Sequence, residues 1–272
     1  MRRFKAGLAV AAAVYIALAW IWPDGPEDAA GERAAVGPGA PAEPVAPIEP
    51  SETPSDPPSE TPKEEPADLP EEAFTGPLGT RDHTGGSALA LTFDDGPDPD
   101  WTPQVLAMLR ERGVKATFCM IGAYAEDHPD LVAEIAAEGH TLCNHAWYHE
   151  MDLGDWDESE IRANLQRTND AIQEAAPGAE VEYFRQPGGR WTDRVVSVAE
   201  DLGMESLHWA VDPRDWDADS ESEDISDRVL DRCGPGSVIL LHDGGANQEQ
   251  MLSALEEVLD EFERLGWELV AL

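Results

Sequence analysis

Two histidines and two carboxylates have the spacing that metal and proton-transfer chemistry would need. His145 and His149 are four positions apart, a spacing that on a helical turn would bring both imidazoles to one face. With a carboxylate from elsewhere they would form a two-histidine, one-aspartate site for zinc or a related divalent ion, although surface histidines are also often so spaced. The neighbouring Asp94 and Asp95 could supply a metal ligand and a proton acceptor, or form an Asx turn with the Gly-Pro pair that follows.

Two further residues could serve the same chemistry. Arg185 could orient a carboxylate through two parallel hydrogen bonds or form an ordinary surface ion pair. His242 follows an apolar run, where it is either a general acid tuned by a carboxylate or a core histidine bonded to a backbone carbonyl. Asp212 and Asp215 are candidates for the tuning carboxylate, or are simply loop acids.

Alternating short apolar runs and amphipathic segments must position these residues. The apolar runs predict seven strands, at residues 88–93, 116–121, 141–144, 181–185, 205–209, 237–242 and 268–272. Helical periodicity predicts helices at residues 102–111, 129–138, 158–174, 192–202, 225–233 and 249–264. This alternation predicts a parallel sheet covered by helices, either open or closed into a small barrel. The candidate residues follow strand ends, so we expect them to share the carboxyl edge of the sheet.

Composition divides the chain into three regions. Basic residues precede an apolar run at residues 7–22, which predicts a membrane anchor with a cytoplasmic basic end, or else a cleaved signal peptide. Residues 23–80 are rich in Pro and Glu and predict a disordered linker. Residues 81–272 form the predicted folded domain. The net charge of −38 argues against nucleic acid as a partner, because phosphate backbones require clustered cations.

Five motifs in this order resemble the polysaccharide deacetylases of carbohydrate esterase family 4, the NodB-homology domain. They are TFDDGP at residues 92–97, NHAWYH at 144–149, RQPGG at 185–189, DPRDW at 212–216 and LHD at 241–243. The resemblance covers about residues 85–272 and implies an α/β fold, a distorted (β/α)7 barrel. It implies that Asp95, His145 and His149 hold one divalent metal ion, zinc or cobalt. It also implies that Asp94 is the catalytic base and that Arg185 positions it.

The remaining roles follow from the same resemblance. His242 would be the general acid and Asp215 the carboxylate that tunes it. Leu241 and Trp216 would line the pocket for the acetyl methyl group. Gly188 stands where the family commonly has tyrosine; its N–H could still bind the oxyanion, while the missing ring opens one wall of the substrate groove.

The resemblance implies an enzyme that removes acetyl groups from N-acetylglucosamine residues of an extracellular polysaccharide, peptidoglycan or chitin-like. Two alternatives remain open: an O-acetyl esterase acting on xylan, and a catalytically inactive protein that binds wall glycan. We expect a monomeric catalytic domain with a polysaccharide substrate, attached to the cell membrane through the N-terminal segment and facing the wall. If that segment is cleaved as a signal, the protein is secreted.

Two of the three cysteines are predicted to form a disulfide. Cys119 and Cys143 end consecutive predicted strands, and neighbouring strands lie about as far apart as a disulfide requires. Export would place the domain where disulfides persist. Cys233 would then remain unpaired, and the alternative is that Cys119 and Cys143 are buried free thiols.

Overall fold

Six parallel strands form the central sheet of the protein, whose computed structural model describes residues 76–272. In sequence order these strands are β1 (Ala90–Asp94), β2 (Thr117–Met120), β3 (Thr141–Asn144), β4 (Val181–Phe184), β5 (Glu205–Ser206) and β6 (Val238–His242). Their order across the sheet is β5-β4-β3-β2-β1-β6. The predicted N-terminal segment and nearly all of the predicted linker lie outside the described residues. The last residues of that linker, 76–80, form a 3-10 turn at Pro77–Gly79.

Residues 76–272 contain seven α-helices, of which six lie between strands and the last follows β6. They are α1 (Thr102–Arg112), α2 (Gly122–Asp127), α3 (Pro129–Ala137), α4 (Glu158–Ala175), α5 (Asp193–Asp201), α6 (Ser222–Arg232) and α7 (Gln248–Leu265). All six predicted helices are present, with ends shifted by a few residues. The sequence did not predict α2, because its six residues are too few to show helical periodicity. Within residues 76–272, no helix combines the length and apolar character needed to cross a membrane.

The strands read as apolar runs because both of their faces are buried. Every residue of β1 and β2 is buried. Leu91 and Phe93 of β1 belong to a large cluster with the helices, whereas Ala90 packs with Cys119 and Cys143 in a smaller cluster on the other face. Because both faces are buried, these strands lack the alternation of apolar and polar residues that is typical of a sheet with one exposed face.

Isolated backbone bridges link the two edge strands, β5 and β6. Arg81 pairs with Leu207 just beyond β5, and His83 pairs with Ser237 just before β6. A further bridge joins Val211 to Ile239 in β6. The sheet therefore curls into the predicted distorted (β/α) barrel. The segment before β1, at residues 81–83, fills the gap between β5 and β6.

The prediction of a seventh strand at residues 268–272 is wrong. This segment contributes only one bridge, between Leu269 and Leu89. Beyond it, Leu272 bonds threonine hydroxyls rather than a backbone ladder: its carbonyl accepts from Thr141 Oγ1 at 2.7 Å and its N–H donates to Thr117 Oγ1 at 3.2 Å. The apolar character of this segment reflects packing at the end of the sheet, not membership in it.

Cysteines occupy directly paired positions on two adjacent strands. Cys119 of β2 is in register with Cys143 of β3, and a disulfide joins them in the structure. Cys233 has a free thiol. The disulfide lies two residues before His145, directly beneath the carboxyl edge of the sheet.

Candidate active site

The carboxyl edge of the sheet collects the candidate residues from four strands. Asp94 ends β1 and is in register with His242, the last residue of β6. His145 follows β3 and Arg185 follows β4. The predicted gathering at one edge is therefore what the structure shows.

Asp95, His145 and His149 form a group with the geometry of a metal site. Their possible ligand atoms all lie within 4.8 Å of one another. Asp95 Oδ1 is 3.4 Å from Nε2 of each histidine and has no hydrogen-bond partner among the described residues, although it is buried. His145 Nδ1 donates to the Arg185 carbonyl at 2.7 Å, which leaves its Nε2 lone pair facing the aspartate. A buried, unpaired carboxylate oxygen facing two imidazole nitrogens fits a divalent metal ion of the zinc type.

The local electrostatics favour the metal-binding forms of Asp95 and His149. For His145, burial would lower the pKa, but the charges of Asp94 and Asp95 raise it. Burial alone would raise the pKa of Asp95, but its close polar contact with His145 and the charge of His145, with smaller effects of His242 and His149, lower it to about 2. The pKa of His149 is lowered, first by burial and then by the charge of His145. An ionised carboxylate and a neutral imidazole are the ligand forms of these side chains.

The two histidines are close together, but not on a helical turn as their spacing suggested. They lie in an irregular loop in which Ala146 and His149 adopt left-handed backbone conformations, with φ of 63° and 59°. Asn144 Oδ1 accepts a hydrogen bond from the Ala146 N–H at 2.9 Å, and Asn164 Oδ1 accepts one from the Trp147 N–H at 2.9 Å. These side chains satisfy backbone groups that a helix would have paired, so the loop can place His149 beside His145 without one.

Asp94 is fixed by a buried arginine. Arg185 Nη1 donates to Asp94 Oδ1 at 2.6 Å, and both side chains are almost completely buried. The same guanidinium also donates to Thr92 Oγ1 and to the carbonyls of Leu207 and His208. Asp94 Oδ2 is left pointing toward the metal group, 3.5 Å from His145 Nε2. One oxygen is thus held while the other faces the site.

His242 and Asp215 form a tightly bonded pair. Asp215 Oδ1 lies 2.9 Å from His242 Nδ1, and its Oδ2 accepts the His242 backbone N–H at 2.8 Å. Burial would lower the pKa of His242, but the charge and hydrogen bond of Asp215, helped by Asp94 and Asp95, raise it to about 9. The imidazole is therefore protonated near neutral pH, with Nε2–H free to face the site. Asp212, the other candidate carboxylate, instead accepts from the Arg214 N–H and from Trp216 Nε1.

The candidate substrate contacts differ in their exposure. Trp216 is 46% exposed, whereas Leu241 is buried within β6. Gly188 has a φ of 61°, and the methyl group of Met151 occupies the place where a side chain at position 188 would begin. Met151, which follows the loop that carries His145 and His149, therefore fills part of the space next to Gly188.

Asp243 is a residue of this edge to which the sequence analysis assigned no role. Its buried carboxylate packs against Gly96 and accepts from Thr102 Oγ1 at 2.5 Å, while Thr102 Oγ1 accepts from the Asp98 N–H at 2.8 Å. Burial, together with the charges of Asp95 and Asp94, raises its pKa to about 7 despite the Thr102 hydrogen bond. Its position next to His242 in the sequence could have indicated that Asp243 belongs to the site. Its partner Thr102 is 141 positions away, so their contact could not be predicted.

Curated relatives of the chain are deacetylases. A chitooligosaccharide deacetylase of Sinorhizobium fredii is 44% identical over 164 residues, covering 60% of this chain and 75% of that protein. A peptidoglycan-N-acetylglucosamine deacetylase of Bacillus cereus is 36% identical over 187 residues, covering 67% of this chain and 84% of that protein. The similarity spans three quarters or more of each of these two relatives.

The family profile and solved structures agree with these relatives. The profile of the polysaccharide deacetylases matches residues 81–207. The structure of the Bc1960 peptidoglycan N-acetylglucosamine deacetylase, solved in complex with 4-naphthalen-1-yl-N-oxidanyl-benzamide, is similar with a TM-score of 0.65. It is 32% identical, and the match covers 73% of this chain and 89% of that one. The chain therefore belongs to the polysaccharide deacetylase family, carbohydrate esterase family 4, and is a polysaccharide N-deacetylase.

Proposed function

We propose that the enzyme removes acetyl groups from N-acetylglucosamine residues of a peptidoglycan or chitin-like glycan and that it depends on one divalent metal ion, zinc or cobalt. The observation that carries this proposal is the buried Asp95 Oδ1, 3.4 Å from Nε2 of both His145 and His149. The substrate class follows the named relatives, which act on chitooligosaccharide and on peptidoglycan N-acetylglucosamine.

In this proposal Asp94 is the base. Asp95, His145 and His149 would hold the ion, which would supply Lewis acidity for the acetamide carbonyl and the attacking water. Arg185 fixes one oxygen of Asp94, so that the other oxygen can take a proton from that water. The buried guanidinium keeps the carboxylate in one orientation.

His242 is the acid on the other side of the scissile bond. Its Nδ1 is engaged by Asp215, so Nε2–H is the proton that can pass to the departing amine. An amide nitrogen is a poor leaving group unless it is protonated, so the proposed reaction needs an acid opposite the base. The Gly188 N–H would bind the oxyanion, with Trp216 and Leu241 lining the space for the acetyl methyl group.

We also propose that the enzyme works outside the cytoplasm, anchored to the cell membrane or secreted. The disulfide between Cys119 and Cys143 supports this, because disulfides persist in oxidising compartments. The basic and apolar N-terminal segment supports it independently.

Acetate release tests the function directly. The purified enzyme is incubated with N-acetylglucosamine oligomers, peptidoglycan and acetylated xylan, with and without a chelator, and then with zinc or cobalt restored. We expect acetate and free amine from the N-acetylglucosamine substrates, loss with chelator and recovery with metal. Release from xylan alone would favour the O-acetyl esterase, and metal binding without any release would favour a wall-binding protein.

A further inference from the structure

Asn247 directly precedes α7, at the position where a side chain usually caps the helix. Asparagine at such a position accepts a hydrogen bond from a backbone N–H of the first turn. The Asn247 side chain makes no capping bond, and the helix begins instead through the Asn247 carbonyl, which accepts from the Met251 N–H at 3.1 Å. The side-chain amide is therefore available to bind another part of the protein.

The amide of Asn247 binds the loop that carries Asp215. Asn247 Nδ2 lies 3.1 Å from the carbonyl oxygen of Asp215 and 3.0 Å from those of Asp217 and Ser220, so its two N–H groups are shared among three acceptors. This loop, residues 212–220, contains neither helix nor strand, and we call it the Asp215 loop. Three converging carbonyls need a donor between them, because an acceptor shielded from water without a partner costs free energy. Asn247 supplies that donor.

Asn247 is also fixed relative to His242. Strand β6 ends at His242, and residues 243–246 alone separate it from Asn247. The buried Gln248 closes this connection, because its Nε2 donates to the Gly244 carbonyl at 2.7 Å. Asn247 itself has a φ of 66°, a left-handed conformation that asparagine adopts more readily than most residues. The amide thus reaches the Asp215 loop from a support that continues directly from His242.

The pairing of Asp215 with His242 depends on where the Asp215 backbone lies. Both bonds of the Asp215 carboxylate go to His242, and the short aspartate side chain has little reach of its own. Burial would lower the pKa of His242, but Asp215, helped by the charges of Asp94 and Asp95, raises it to about 9. We propose that Asn247 is a positioning residue, which fixes Asp215 against His242 by binding the carbonyls of the Asp215 loop.

This inference rests on the proposed function for the role of His242 as the acid, so the pairing is first measured without turnover. The pKa of His242 is followed by NMR titration of the histidine-labelled full chain at equal zinc loading, and its signal is identified by its absence from His242→Gln. Asn247→Gly removes the amide but tolerates the left-handed backbone. We expect the pKa of His242 to fall by about 0.5 to 1, part of the about 1 to 3 expected when the opposite charge is removed altogether.

Control variants separate positioning from a general loss of packing. Gln250→Ala is the matched control, because Gln250 lies in the first turn of α7 and its Oε1 accepts from the Ser222 N–H at 3.0 Å, outside the Asp215 loop. It should leave the pKa of His242 unchanged. Asn247→Ser, which keeps one hydroxyl donor, should lower that pKa by less than Asn247→Gly. In an Asp215→Asn background, Asn247→Gly should have no further effect, because the amide acts through Asp215.

The outcomes separate this inference from the proposed function. An unchanged pKa of His242 in Asn247→Gly would overturn the positioning role, and so would a fall of equal size with and without Asp215. Should Asn247→Gly fail to fold, Asn247→Ser decides by the same criteria. In acetate release, the alkaline limb of kcat/KM should move to lower pH by the same amount as the pKa. A fall in the pKa that depends on Asp215 would uphold the positioning role even if no acetate were released, an outcome that would reject only the proposed function.

Discussion

Replacing Asp215 with asparagine tests how His242 works as an acid. Asp215 uses both carboxylate oxygens on one residue, Oδ1 on His242 Nδ1 and Oδ2 on the His242 backbone N–H. An asparagine of nearly the same shape has one oxygen and one NH2 group. If its oxygen keeps the backbone N–H, the NH2 group faces Nδ1, which must then act as an acceptor in a neutral imidazole. The substitution therefore removes both the charge and the hydrogen bond that favour the imidazolium.

The expected shift can be worked out from the pair. The pKa of His242 is raised to about 9, and Asp215 supplies the main raising effects. Removing an opposite charge at hydrogen-bond distance moves a pKa by about 1–3 units, so that in the variant it falls to between about 6 and about 8. At pH 8 the protonated fraction would drop from about nine-tenths to between about one-half and about one-hundredth. Acetate release limited by this acid should fall in proportion.

The assay is the pH profile of kcat/KM for acetate release from an N-acetylglucosamine oligomer. Because the charges of Asp94 and Asp95 also raise the pKa of His242, variant and parent are compared at equal metal loading. We expect the alkaline limb to move to lower pH in Asp215→Asn. Asp219→Asn, an exposed residue of the same loop, makes the same charge change and should leave the limb in place. An unshifted limb in a folded, metal-loaded Asp215→Asn enzyme would refute the assigned role of the pair.

Further predictions concern the metal, the base and the thiols. Metal analysis of the purified domain should show about one zinc or cobalt ion, and an Asp95→Ala/His145→Ala double variant should lose it; unchanged metal content would contradict the assigned ligands. Asp94→Asn should keep the metal but lose acetate release by about 10²- to 10⁴-fold, because the base is gone while Asp95 remains; near-full activity would show that Asp94 is not the base. Non-reduced protein should have one alkylatable thiol, at Cys233, whereas three would reject the disulfide.

The gathering of the site could be predicted from sequence because it depends only on strand order. The apolar runs of β1, β3 and β6 each lead into polar residues, and all parallel strands end at the same edge, so Asp94, His145 and His242 were expected to lie along that edge. Long helices such as α4 and α7 were equally readable, since their buried residues repeat with helical spacing. These features need no knowledge of side-chain contacts.

Which of Asp94 and Asp95 is the candidate base and which is the candidate metal ligand could not be predicted from these two residues alone. Asp94 is the last residue of β1 and bonds Arg185, a residue 91 positions away. Asp95 has a φ of 73°, which turns its carboxylate toward the histidines instead. A left-handed backbone at a non-glycine residue has no dependable sequence signal, so only the family resemblance had distinguished the two roles.

The left-handed residues also explain why the loop that carries His145 and His149, here called the histidine loop, needs supporting residues that are not candidate ligands or substrate contacts. Asp95, Ala146 and His149 all have positive φ, a conformation that costs of order 1–3 kcal/mol for each non-glycine residue and is kept only where the surroundings enforce it. Asn144 helps to enforce it: its Oδ1 accepts from the Ala146 N–H, while its amide donates to the Asn169 side chain at 2.7 Å and to the Leu165 carbonyl at 2.8 Å. This buried asparagine thus fastens the histidine loop to α4. The arrangement of the candidate metal ligands is therefore supported by interactions on the helix side of the sheet, so we expect the identity of residue 144 to matter to the site although Asn144 is not a candidate ligand.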